Sequence, residues 1–297
     1  MGKRFKLEDY QGKDLLKEVG FDRVPTQIIE KSVPELLNLK GKKAVVTGAG
    51  GPGLGQACAN RLAGSGADVA VVDINFEGAK RVAEQITERW GTRAIPVKGD
   101  ITDWEDVQRM MRESHEKLGG IDILVNNAVA GMHFGDFVTA TKGDIDKTVQ
   151  GTLTQLIYLC RTVLDYMIPQ GSGRIINVGA EGGRTEIPDL CIYDACKAGV
   201  HGFTRNLSAE VARHGIYVLG VAPGVMMHEG LQYLMKNPTK ENWPAIEPML
   251  AAYDKVELER VELPEEVANM VAFLASDAAS SMCGVTVNMG GGISKGG

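Results

Sequence analysis

A chain of 297 residues that is 44% hydrophobic and 24% charged, with a formal net charge of −6, can bury a sizeable core and lacks the clustered basic footprint of a nucleic-acid or anionic-lipid binder. Its five cysteines, Cys58, Cys160, Cys191, Cys196 and Cys283, are scattered and odd in number, which excludes a CxxC pair and zinc-ligand spacing; no metal is expected, and a reducing compartment is the simple setting. The charged segment 1–10 has no apolar signal core and no apolar run is long enough to span a bilayer, so the expectation is a cytoplasmic protein without membrane partners.

Residues 1–40 read as a charged, partly helical extension. Its apolar positions, Leu15, Leu16, Val19, Ile28, Ile29, Leu36 and Leu37, are too few for a core of their own, so it is expected to dock on the rest of the chain or on a partner. From residue 41 to 297, strand-like runs alternate with helix-period stretches. The runs are Ala44–Thr47, Val69–Val72, Ala94–Val97, Ile121–Val125, Arg174–Val178, Ile216–Val221 and Val285–Val287; between them lie Gln56–Ala63, Glu77–Trp90, Asp103–Leu118, Asp144–Ile168 and Ile192–His214. Strict alternation implies right-handed crossovers and a doubly wound parallel sheet. Thr102 with Glu105 fits a capping box, and Pro264 before Glu265 and Glu266 fits an acidic first helical turn. Residues 225–262, after Pro223-Gly224, fall outside the alternation and read as a lid over the substrate. Met226, Met227, Leu231, Leu234 and Met235 there suit an aromatic or acyl group, although such a set at helical spacing more often simply packs a core.

Two patterns carry chemistry. Directly after the first strand runs Thr47-Gly48-Ala49-Gly50-Gly51-Pro52-Gly53-Leu54-Gly55, opening a helix. Glycines there permit a tight turn and close approach of backbone N–H groups to a pyrophosphate at the positive helix end. Asp73, ending the second strand, falls where a carboxylate accepts ribose hydroxyls and repels a 2′-phosphate, favouring NAD over NADP. Far downstream, Tyr193 and Lys197 are four apart, on one face of a helix, so the ammonium is expected to lower the phenol's pKa. A phenol ionising near neutrality can give or take the proton that accompanies hydride transfer.

With Gly99-Asp100, Asn126-Asn127-Ala128, Tyr193-Asp194-Ala195-Cys196-Lys197, Pro223-Gly224 and the ending Gly284 through Gly290-Gly291 added in order, the chain resembles the short-chain dehydrogenase/reductase family from about Gly41 to Gly292. The resemblance implies a single Rossmann-type domain with a sheet of seven parallel strands, hydride exchange between NAD and an alcohol or ketone, and a dimer or tetramer built through two long helices. It also implies cofactor contacts from Gly48, Gly50, Gly53, Leu54, Asp100, Ile101, Asn126, Ala128 and Pro223 to Val225, with Tyr193 as acid/base and Lys197 also bonding the nicotinamide ribose.

Three positions depart from the family pattern. The glycine loop is one residue longer and includes Pro52. Ala180 stands where the family has the serine that bonds the substrate oxygen, and Thr152 where it has an asparagine holding a relay water. Glu181 if protonated, His133 or His228 can replace the lost donor, although each more commonly packs or faces water; Arg184 can meet an acidic or coenzyme A-bearing substrate. Two functions follow. The chain is either a catalytic subunit of an NAD-dependent alcohol or hydroxyacyl dehydrogenase, or a degenerate subunit supporting an active chain of the same family in a homo- or hetero-oligomer. The heteromeric hydroxyacyl-CoA dehydrogenase of anaerobic benzylsuccinate degradation is one setting the second would suit.

Overall fold

The computed structural model describes residues 11–19 and 24–294, so segment 1–10 lies outside the described residues. Seven strands, β1 (Lys43–Thr47), β2 (Asp68–Asp73), β3 (Ala94–Lys98), β4 (Ile123–Asn126), β5 (Gly173–Val178), β6 (Ile216–Ala222) and β7 (Thr286–Asn288), form one parallel sheet in the order β3-β2-β1-β4-β5-β6-β7. The helices are α1 (Leu15–Glu18), α2 (Val33–Leu36), α3 (Leu54–Gly64), α4 (Phe76–Trp90), α5 (Trp104–Leu118), α6 (Lys142–Val149), α7 (Gln155–Gln170), α8 (Cys191–Val211), α9 (Glu229–Lys236), α10 (Trp243–Tyr253) and α11 (Pro264–Leu274). It is a single-domain Rossmann-type fold. The central strands are apolar on both faces because helices cover both. Ala44 and Val46 of β1 pack with Leu62, Val82 and Val271 on one side, while Val45 packs with Met110, Leu159 and Val200 on the other. Strand order reverses between β1 and β4, which opens a crevice beyond their C-terminal ends.

Two local expectations change. Helix α5 is capped by Asp103, whose carboxylate accepts from Asp106 N–H at 2.8 Å, while the Thr102 hydroxyl donates to Asp100 at 2.7 Å. The helix expected over 144–168 is interrupted by a π-helical turn, Gln150–Thr154, between α6 and α7. Ala130 N–H takes the Gly151 carbonyl at 2.9 Å, and the backbones approach so closely that a Cβ at 151 would collide with the Ala130 carbonyl. A carbonyl withdrawn from the helical ladder by a tertiary partner widens the helix at that turn.

The extension meets the domain through its last ten residues. Leu39 is buried and its N–H donates to Ser65 O at 2.8 Å, and Lys31 pairs with Asp277 at 3.3 Å. Leu15, Leu16, Val19 and Ile29 are exposed.

Candidate active site

The glycine loop is built onto β4 by side chains. Thr47 Oγ1 accepts from Asn127 and Ala128 N–H at 3.2 Å each, and Asn127 Nδ2 donates to the Thr47 and Gly48 carbonyls at 2.9 and 3.2 Å. Gly48 has φ +66 and a Cβ there would lie 2.9 Å from Ala128 Cα, so only glycine fits this turn. The loop leans over the end of β2 through Gly50. Gly50 N–H donates to Asp73 Oδ2 at 2.8 Å, Asn75 N–H to Asp73 Oδ1 at 2.9 Å, and Arg81 Nη2 to Gly50 O at 3.2 Å.

Beside this loop lies a cavity of about 300 Å³ with Gly48, Val72, Asp73, Asp100, Ile101 and Ala128 in its wall. The apolar side chains of Val72, Ile101 and Ala128 beside the Asp73 carboxylate at the strand end fit an adenosine, whose ribose hydroxyls such a carboxylate would accept. Asp100 N–H donates to Asp106 at 2.7 Å, fixing the turn after β3. Asn126 lies elsewhere. It is buried, and its amide donates to Asn177 Oδ1 at 2.8 Å and to Cys160 Sγ at 3.2 Å, joining β4 to β5 and α7. Its neighbour Asn127 reaches the loop instead. Alternation along a strand decides which of two adjacent asparagines faces the crevice, and the sequence does not mark the strand's last residue.

A second cavity, of about 410 Å³, lies at the ends of β5 and β6. Tyr193, Ala180, Pro223 and Val225 line it, and Leu231 and Leu234 of α9 and Met249 of α10 supply much of its apolar surface. Lys197 is buried behind the tyrosine. Its Nζ donates to Val178 O at 2.7 Å and stands 5.4 Å from the centroid of the Tyr193 ring, and burial pulls its pKa down to about 8. The expected lowering of the phenol's pKa is not found: burial, with the neighbouring Asp194 and Cys196, pushes it up. Ala180 brings no donor to the wall. Thr152 is buried in the π-helical turn with its hydroxyl unpaired.

Of the candidate replacement donors, Glu181 and His228 line this cavity and His133 does not. The His133 ring is 4.0 Å from Asp144. Glu181 bonds Ser294 through one carboxylate oxygen while the other has no partner, and burial raises its pKa. His228 caps α9 by accepting from Leu231 N–H at 3.4 Å through Nδ1, which leaves Nε2 to carry the proton of the neutral ring. Arg184 is engaged, donating to Thr286 O at 2.8 Å. Met226 lines this cavity, Met227 a neighbouring one, and Met235 neither.

Three ionisable groups near the site, Asp194 and Glu262 buried and His201 half-buried, carry no sequence signal. Burial raises Asp194 to about 6 against one bond from Ile187 N–H at 3.3 Å. Glu262 accepts from Gly224 N–H at 3.2 Å, and burial, with Glu266 and Glu181 nearby, raises it to about 7. Burial lowers His201 to about 4, helped by Arg184 and Lys197.

The comparisons agree with this geometry. Residues 42–238 match the family profile described as short chain dehydrogenase. The chain belongs to the short-chain dehydrogenase/reductase family. It is 34% identical over 257 residues to an uncharacterised oxidoreductase of Thermotoga maritima, covering 86% of this chain and 98% of that one. It is 32% identical to a 3-oxoacyl-[acyl-carrier-protein] reductase of Aquifex aeolicus, covering 86% and 99%. Among solved structures, a 7α-hydroxysteroid dehydrogenase complexed with NADH and 7-oxo-glycochenodeoxycholic acid superposes with TM-score 0.76 at 29% identity, covering 86% and 96%. As a member of this family of oxidoreductases the chain carries no helix among the described residues long and apolar enough to cross a membrane.

Proposed function

We propose that the chain is a catalytic subunit of an NAD-dependent dehydrogenase acting on a secondary alcohol or ketone with a bulky apolar group, free or carried as an acyl thioester. The observation that carries this reading is the Tyr193 phenol in the wall of an apolar cavity roofed by α9 and α10, where residues 225–262 act as the lid. NAD, held by Gly48, Asp73, Asp100, Ile101, Ala128 and Lys197, would accept or supply the hydride. Tyr193 handles the proton: as phenolate it takes the alcohol proton, and as phenol it gives that proton back to the developing alkoxide. A phenol whose pKa burial has raised holds its proton, which suits the reducing direction. Lys197, a cation beside the ring, stabilises the phenolate when it forms and presents its remaining N–H groups to the ribose. His228 Nε2–H supplies the donor that Ala180 lacks. The solved relative holding NADH and a keto bile acid supports both the cofactor and the bulky substrate class.

The test is direct. Purified protein should reduce NAD with secondary alcohols bearing aromatic or acyl chains; no turnover across such a panel contradicts the proposal.

A second reading, a degenerate subunit supporting an active partner chain of the family, is favoured by Ala180 and by the unpaired Thr152 hydroxyl. It expects the chain alone to be inert and activity to return on co-expression with a homologue that retains the serine and asparagine.

A further inference from the structure

Two turns of the chain supply much of the wall of the cavity at Asp73: Asp100 and Ile101 after β3, and Asn127 to Ala130 after β4. The π-helical turn bonds both. Gln150, its first residue, donates through Nε2 to Thr102 O at 2.8 Å, and Thr102 N–H in turn donates to Asp100 Oδ1 at 2.8 Å. Gln155, which follows the turn, donates through Nε2 to Ala128 O at 3.0 Å. Between the two, the Gly151 carbonyl accepts from Ala130 N–H at 2.9 Å.

The two glutamines act from one side of the helix because of the π turn itself. At 3.6 residues per turn, positions five apart point roughly 140° away from each other. Here Gln155 N–H donates to Gln150 O, the five-residue bond of a π turn, which brings the pair nearly into line along the helix. Packing alone does not account for Gln155. It is 2% exposed, both amide hydrogens are engaged, by Ala128 O and by Thr152 O at 3.4 Å, and its Oε1 has no partner among the described residues. A buried amide with an unpaired oxygen is costlier than an apolar side chain, so its donor has a use that offsets the cost. That donor fixes Ala128, which lies so close to the glycine loop that no Cβ fits at Gly48. A shift of Ala128 is therefore felt in both the wall and the loop.

We propose that Gln150 and Gln155 are positioning residues for the cofactor: joined through the π turn, they hold the turns after β3 and β4 at the separation that the adenosine half of the dinucleotide requires. The inference rests on the dehydrogenase reading for the occupant and adds two residues that this reading leaves unused.

Calorimetric titration of the full chain with AMP, which carries the adenosine and lacks the nicotinamide, and with NAD tests it without turnover. Gln155→Met and Gln150→Met remove a donor at similar volume. Each should weaken AMP and NAD by the same factor, about three- to tenfold for one hydrogen bond. In turnover, KM for NAD should rise while kcat and KM for the alcohol stay as in the parent. If Gln155→Met loses its cooperative melt, Gln150→Met, at a half-buried position, is read alone with the same expectation. Unchanged affinity for AMP overturns the proposal, as does a fall in kcat at saturating NAD with a rise in KM for the alcohol, the mark of a merely structural role. A parent chain that binds neither AMP nor NAD removes the cofactor reading along with this one, whereas binding by the parent with equal affinity in the variants removes this one alone.

Discussion

At Asp73 each carboxylate oxygen already accepts one backbone N–H, so the carboxylate is held in place with lone pairs left for two ribose hydroxyls. A 2′-phosphate would meet this fixed negative charge. Titration should therefore give much tighter binding of NAD(H) than of NADP(H), and equal or reversed affinities would remove Asp73 from that role. The donor at the substrate oxygen is tested by a cycle. His228→Ala should lower turnover roughly a hundredfold, the cost of losing one preorganised donor, and Ala180→Ser should recover most of it in that background while changing the parent little. Additive effects would mean that the two positions do not serve the same oxygen. Residue types and spacing marked Asp73 at a strand end and Tyr193 and Lys197 four apart, while Ala180 in place of serine was visible only through the family resemblance. The role of Asn127, the engagement of Arg184 by β7, and the burial of Glu262 were not legible, because each depends on partners distant in sequence.

Among the elements, the turn after Pro223 is held by Glu262, whose N–H donates to Val225 O while its carbonyl accepts from Met227 N–H, both within 2.9 Å. Its carboxyl has a folded pKa of about 7 against an ordinary 4.5, so between these values the folded state binds more protons than the unfolded chain. Stability contributed by this group is therefore present at low pH and lost as pH rises through about 7. Glu262→Gln keeps an acceptor for Gly224 N–H and cannot ionise. Its melting temperature relative to the parent should rise between pH 5 and pH 8, and a pH-independent difference would contradict the burial argument. The extension is a second element with a defined test. Deleting residues 1–40 uncovers the pocket of Leu39 and removes the Lys31–Asp277 pair, so the truncated chain should melt lower, chiefly for the loss of Leu39, which is of order 2–5 kcal/mol for a buried leucine. An unchanged melt would mean that the extension is not part of the fold's stability. The central strands were legible as apolar runs because both faces of the sheet are covered there, which removes the need for alternation; the edge strands β3 and β7 are only half-buried. The π-helical turn was invisible, since Ala130 imposes it from another loop, and Asp103 took the cap from Thr102 because either residue type can fill it.

At the scale of the whole molecule, the sheet puts the glycine loop, the Asp73 cavity and the Tyr193 cavity along one edge, the C-terminal ends of its strands, while α7 and α8 cover one face. Exposed Ile157 and Ile168 on α7 leave apolar surface on that side, consistent with the oligomers common in the family. Where such a surface carries a partner, the partner's site can mask an inert chain, so the subunit question is asked of whatever assembly the chain forms. The decisive measurement is NAD-linked turnover of that assembly with Tyr193→Phe in this chain alone. A working phenol predicts a loss of about two to four orders of magnitude in this chain's contribution, with cofactor affinity retained. Turnover unchanged by the substitution would contradict catalysis by this chain and leave Tyr193 as a packing residue in a supporting subunit.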